Sequence, residues 1–374
     1  MSEAPQIAGT DEQPHARMVL GGGLASGAPS HAYLFHGPPG TGKRTAARAF
    51  AAELLASGQD EPDSVRRRVG TGSHPDLTWV APTGAHVMRV EDVEEPVVGA
   101  ASRTPFEASR RVFVLERVDT MNDEVANRML KTLEEPAAYV HLILLTDALG
   151  QVIETVVSRC QLVRFDPLPA ERVAAALERD GVPAERAAAC GRLALGNAAR
   201  ARFLASEEGE GLRADVESLV RDALAGEGDP EPWRPLLDRA EERRAAAEEA
   251  AARRAAERLE YEPKGRDRRA LERDLEEAAK RDGRRARTEL LDLGLTLAGL
   301  SFRDLVCSAE GAHDAVLARD RAAALAAVAE GRDTRRLRDA AERCEDARQS
   351  LELNVTEDLA LSALSFRLRS LVGA

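Results

Sequence analysis

Cysteines, aromatics and long apolar runs are all scarce in this 374-residue chain, and each shortage closes off a class of protein. Cys160, Cys190, Cys307 and Cys344 lie far apart with no C-x-x-C pair, so neither a disulfide framework nor a local zinc module is supported. Aromatic residues make up 3% of the chain, too few for a stacking surface that grips a single nucleic-acid strand along its length. Positive charge is outweighed as well. The 52 Lys and Arg face 64 Asp and Glu, a net charge of −12, which disfavours holding nucleic acid by bulk electrostatics. No segment reaches the roughly 18 uninterrupted apolar residues of a membrane span, and Met1 to Pro5 lacks the basic start of a signal peptide. A soluble, cytoplasmic protein with no membrane partner is expected.

The hydrophobic content is 44%, enough for a real core divided among about two or three domains. Over the first 165 residues short β-type runs alternate with helical patterns, the signature of a parallel sheet covered on both faces. Strands are predicted at Ala32 to His36, Leu77 to Val80, Val112 to Leu115, His141 to Thr146 and Gln161 to Phe165. From Asp166-Pro167-Leu168-Pro169 onward the pattern is helical, so the fold class is α/β followed by all-α. Between Arg239 and Arg287 the chain is almost wholly Ala, Glu, Arg and Leu, interrupted at Glu262-Pro263-Lys264-Gly265. That reads as a solvated helical hairpin with i, i+4 pairs such as Glu249 with Arg253 and Glu276 with Lys280. The alternative takes Arg284, Arg285 and Arg287 as a basic patch for DNA or an acidic neighbour.

Chemistry enters at Gly37-Pro38-Pro39-Gly40-Thr41-Gly42-Lys43, which follows the first strand and precedes an Ala-rich helix, the order that a P-loop requires. Glycines let backbone N–H groups converge on phosphate oxygens, the helix presents its positive end, and Lys43 adds a point charge. A working site would next carry Ser or Thr, whose hydroxyl joins the magnesium shell. Arg44 stands there instead. Thr45 has a hydroxyl, but one residue of helix turns it by about 100°, away from the metal. After the strand Val112 to Leu115, where Asp-Glu would supply a metal ligand and a group to polarise water, the chain has Glu116-Arg117. Glu116 could still reach a metal, or be a plain surface residue at a strand end. Arg117 is permanently charged and cannot act as a base.

Gly37 to Lys43, the turn Ser73-His74-Pro75-Asp76, the run from Met121 to Asn127 through Leu130-Lys131-Thr132-Leu133-Glu134-Glu135-Pro136, and Ser158-Arg159-Cys160-Gln161 resemble the bacterial DNA polymerase III clamp-loader subunits. Within that family the chain is most similar to the delta-prime group, whose own nucleotide site is degenerate. The match spans about residues 14 to 205, with a weaker extension to Asn354 to Leu361. The resemblance implies an AAA+ P-loop domain over 1–166, a small helical lid over 167–208, and a helical collar over 209–374 that assembles into a ring. It makes Arg159 an arginine finger acting in trans on a neighbour's triphosphate, places Thr146 and Asp147 at a first sensor, and places Arg200 at a second sensor that meets nucleotide from the lid. Asp147, where Asn is commoner, adds a negative charge that weakens the home site.

Gly37, Gly40, Thr41, Gly42, Lys43, Arg44, Thr45, Glu116, Thr146 and Arg200 thus form a degenerate nucleotide site that requires no cofactor and could retain ATP or ADP. Relatives that bind zinc carry cysteines between the P-loop helix and the His-Pro-Asp turn. Gln59 to Ser73 has none, so no zinc is expected and that stretch should be a loop or short helix. Cys160 should be a small buried residue rather than a nucleophile. The implied function is a largely non-hydrolysing member of the loader that places the sliding clamp on primed DNA, with gamma-type subunits, the delta subunit, the clamp and primed DNA as partners. Two alternatives stay open: an active gamma-type ATPase, and a P-loop protein of some other ring assembly.

Overall fold

Each of the first strands alternates its side chains between two faces, and that alternation builds two cores at once. The computed structural model describes residues 7–82, 87–226, 228–260, 266–352 and 356–373. The signal-peptide reading of Met1 to Pro5, the turn at Glu262 to Gly265 and part of the Asn354 to Leu361 match lie outside them. The described residues fall into two compact units, one of residues 1–169 with 195–199 and one of 170–194 with 200–374.

In the first unit the elements follow as α1 (Pro14–Ala25), β1 (Ala32–His36), α2 (Lys43–Ala56), α3 (Pro62–Thr71), β2 (Leu77–Val80), α4 (Val90–Val93), β3 (Arg111–Leu115), α5 (Asp123–Glu134), β4 (Val140–Thr146), α6 (Glu154–Val157) and β5 (Gln161–Arg164). All five predicted strands are present, each within one residue of its expected ends. They pair in parallel in the order β2-β3-β4-β1-β5. Tyr33, Phe35, Val112, Val114, Ile143 and Leu145 face one core with Phe50, Leu54 and Leu55 of α2. Their strand neighbours Leu34, Phe113, Leu115, Leu142 and Leu144 face the other, with Val125 and Met129 of α5. Helices on both faces are what a parallel sheet needs. Gln59 to Ser73, expected as a loop or short helix, contains α3, ended by Gly72 in the left-handed conformation.

Asp76 ties the base of this unit together. Its fully buried carboxylate accepts the backbone N–H groups of Phe106 at 2.6 Å, Glu107 at 3.0 Å and Ala108 at 2.9 Å, anchoring the segment that leads into β3.

The second unit is helical: α7 (Ala170–Arg179), α8 (Ala184–Leu193), α9 (Ala198–Ala205), α10 (Glu207–Ala225), α11 (Arg234–Glu260), α12 (Arg266–Ala309), α13 (Ala322–Ala329), α14 (Thr334–Glu352) and α15 (Glu357–Val372). Most of the stretch expected as a separate lid packs with the C-terminal helices. Arg192 of α8 donates to the carbonyls of Asp314 and Val316, each at 3.0 Å. Arg213 of α10, buried, donates to Asp320 at 2.8 Å. Buried Asp304 accepts the N–H groups of Leu317 and Ala318. The charged hairpin is formed by α11 and the first half of α12, with the expected pairs Glu249–Arg253 at 3.1 Å and Glu276–Lys280 at 2.7 Å. Two members of the suggested basic patch have carboxylate partners: Arg285 holds Glu289 at 2.8 Å, and Arg287 holds Glu241 at 3.0 Å.

Candidate nucleotide site

In an open parallel sheet, ligands sit beyond the carboxyl ends of the strands, where the strand order reverses. The ends of β1, β3 and β4 bring the expected residues to that edge, since His36 pairs with Thr146 and Leu115 with Leu144. The loop from Gly37 to Gly42 turns there through three glycines at positive φ, 137° at Gly37, 74° at Gly40 and 100° at Gly42. Side chains are excluded at two of them for lack of room. A Cβ on Gly37 would come within 1.9 Å of the Phe165 carbonyl oxygen, and one on Gly42 within 2.8 Å of the Gly9 carbonyl oxygen. Thr41 donates its hydroxyl back to the Pro38 carbonyl at 2.9 Å, and Gln13 clamps the loop by donating to the Thr41 and Asp166 carbonyls.

Lys43 is buried, and its ammonium is fully occupied by its own chain. Nζ donates to the Gly37 carbonyl at 2.5 Å and the Pro38 carbonyl at 2.6 Å, and pairs with Asp147 at 2.7 Å. An ammonium has three donors, so these three acceptors satisfy it. Burial pushes its pKa down, and the Asp147 carboxylate pulls it back up.

The metal corner is filled in a similar way. Buried Glu116 pairs with Arg44 at 2.9 Å and accepts the indole N–H of Trp79 at 2.5 Å. Arg48 lies over the Trp79 ring at 4.4 Å, so two arginines flank the carboxylate that a metal would use. Arg117 adopts left-handed backbone, φ 53°, and its carbonyl accepts the hydroxyl of Thr120. Thr45 is exposed, beside Gly9. Thr146 gives its hydroxyl proton to Asp119 at 2.7 Å. Arg200 belongs to the second unit, where its charged neighbours are Asp292 and Arg348 and burial lowers its pKa.

Arg159 lies after α6, outside the P-loop cluster, with 33% of its side chain exposed. Nε donates to Glu134 at 2.8 Å, Nη2 donates to the same oxygen, and Nη1 reaches the Thr155 carbonyl at 2.9 Å. Cys160 packs against the sheet's second core, and burial raises its thiol pKa to about 12, far from a reactive thiolate.

Sequence reasoning brought Lys43, Glu116 and Asp147 to one edge but did not pair them with Pro38, Trp79 or each other. It also gave Glu134 no role, although Glu134 sits within the quoted Leu-Glu-Glu-Pro run. The one signal for Trp79 was its rarity, as one of two tryptophans in the chain.

A family profile described as DNA polymerase III, delta subunit matches residues 12–169. The DNA polymerase III subunit delta' of Pseudomonas aeruginosa is 32% identical over 227 residues, covering 56% of this chain and 68% of the relative. That of Bacillus subtilis is 33% identical over 162 residues, covering 42% of this chain and 48% of the relative, so the match spans about half of that protein's length. A DNA polymerase III gamma subunit-related protein from Thermotoga maritima superposes with a TM-score of 0.46 at 14% identity, over 92% of this chain and 95% of that one.

Proposed function

This chain belongs to the delta-prime family of DNA polymerase III clamp-loader subunits, which act in DNA replication, and on that premise we propose that it is a largely non-hydrolysing member of the loader. Its proposed task is to lend Arg159 to the triphosphate held by a neighbouring gamma-type subunit while turning over little or no ATP itself. A planar cation placed there offsets charge that builds on the transferred phosphoryl group.

The observation that carries the reading is the Arg44–Glu116 pair at 2.9 Å. Arg44 stands where a working site carries a metal-binding hydroxyl and holds the carboxylate that would serve magnesium, and Arg117 cannot act as a base. An active gamma-type ATPase would need that hydroxyl and that carboxylate for the metal. The proposed partners are gamma-type subunits, the delta subunit and, in the assembled loader, the sliding clamp and primed DNA. The lid and collar, as distinct parts of the helical unit, belong to the same proposal. Among the described residues no helix is long and apolar enough to cross a membrane.

The test is turnover by the purified chain with magnesium and ATP, followed by a titration watched through Trp79 fluorescence, since that indole bonds to Glu116. Turnover at the buffer background is expected. Steady hydrolysis by the chain alone at the rate of a gamma-type subunit would overturn the proposal.

A further inference from the structure

Glu134 occupies the wrong end of its helix. It is the last residue of α5, followed by Glu135 at the C-cap, so two carboxylates meet the negative end of the helix dipole, with Lys131 as the one basic residue of the last turn. A locally unfavourable charge that persists is expected where another contact uses it. That contact is Arg159. Nε and Nη2 both donate to Glu134 Oε1, while Nη1 donates to the Thr155 carbonyl, four residues back along its own chain, and to Ser158 Oγ at 3.2 Å. These four bonds take up most of the five donors of a guanidinium. The side chain is thus folded back on α6 with its charge compensated, and it is not extended as a group reaching across a subunit boundary would be. Both partners stay partly open to solvent, Arg159 at 33% and Glu134 at 46%, so the pair can exchange.

We infer that Glu134 stows the Arg159 guanidinium in the free chain, and that a nucleoside triphosphate on the adjoining subunit must displace this carboxylate before the arginine can act. The inference rests on the trans role proposed above and concerns the regulation of that site. A triphosphate offers more negative charge and more acceptor oxygens than one carboxylate, and a half-exposed ion pair is weak enough to yield. Glu134 therefore sets how readily the neighbour's site is completed.

The experiment uses the loader reconstituted with its gamma-type and delta subunits, carrying wild-type chain, Glu134→Gln, Arg159→Ala or both changes, and reads ATPase rate without clamp or primed DNA. Glu134→Gln keeps the side-chain size, removes a charge from the unfavourable helix end and should melt no lower than wild type. It is expected to raise the rate by up to about fivefold, the range that an exposed pair supports, and to have no effect once Arg159 is Ala. Glu134→Asp, which keeps the charge but withdraws it by one methylene, should act in the same direction and less strongly. If Arg159→Ala lowers the rate while Glu134→Gln leaves it unchanged or lowers it, the stowing role is overturned and the finger stands. An Arg159→Ala loader as active as wild type would overturn both.

Discussion

Lys43 and Asp147 form a contact that competes with a phosphate for the loop's ammonium. Asp147 is half exposed, so the pair is worth about 1 kcal/mol at most despite the buried lysine. Replacing Asp147 by Asn should free one Nζ donor and tighten ATP binding by up to about fivefold without creating turnover, because Arg44 still holds Glu116. Titration of the variant against wild type checks this, and unchanged affinity would show that the two loop carbonyls alone keep the ammonium. A second residue-scale effect concerns pH. Burial lowers the pKa of His36, His74 and His141, and His141 Nδ1 bonds to the Ser30 carbonyl. For a base with a depressed folded-state pKa, the unfolded chain binds more protons between the two values. Stability is then complete above the ordinary histidine range near pH 6.5 and falls as pH drops below it. Denaturant midpoints at pH 7.5 and pH 5.5 should differ in that direction, and His141→Gln should narrow the gap.

Elements in this protein are placed by close backbone approaches and by buried carboxylates that gather N–H groups. At Gly209, the third residue of α10, a Cβ would come within 2.0 Å of the Phe203 carbonyl oxygen, so the turn from α9 into α10 has no room for a side chain. Gly209→Ala should cost about 1 to 3 kcal/mol through forced backbone movement, even though alanine is the better helix former. A lowered melting temperature checks it. Asp76→Ala should cost about 3 kcal/mol or more, because three backbone N–H groups lose a charged acceptor in a buried site. Much of the element pattern was legible in the sequence: short apolar runs bounded by Gly, Pro, Asp or charged residues marked β1, β3 and β4, and the charged stretch marked α11 and the first half of α12. The role of Asp76 was not legible, because its N–H donors lie some 30 residues away and no local pattern signals them.

At the level of the whole chain, an acidic polypeptide is divided into a sheet unit with the P-loop and Arg159 and a helical unit with the charged hairpin. Salt bridges along that hairpin are mostly exposed i, i+3 or i, i+4 pairs, each worth a few tenths of a kcal/mol. Replacing residues 245–283 by a short Gly-Ser turn should therefore leave both units folded, with melting shifted by about a few degrees at most. A collapse of the melting transition would show that the hairpin stabilises more than itself.

Residue types and spacing alone determined the strand-loop-helix order, the arginines at positions 44 and 117 where a hydroxyl and a base would stand, and the resemblance on which the proposed trans role of Arg159 rests. Those are properties of single positions and short intervals, which a linear pattern carries. Only the tertiary structure decided that Lys43 meets Asp147, that Glu116 lies between Arg44 and Trp79, and that Glu134 holds Arg159. Each of those contacts joins residues brought together by sheet order and helix packing, and a parallel sheet sets such pairs through strand neighbours that are distant along the chain.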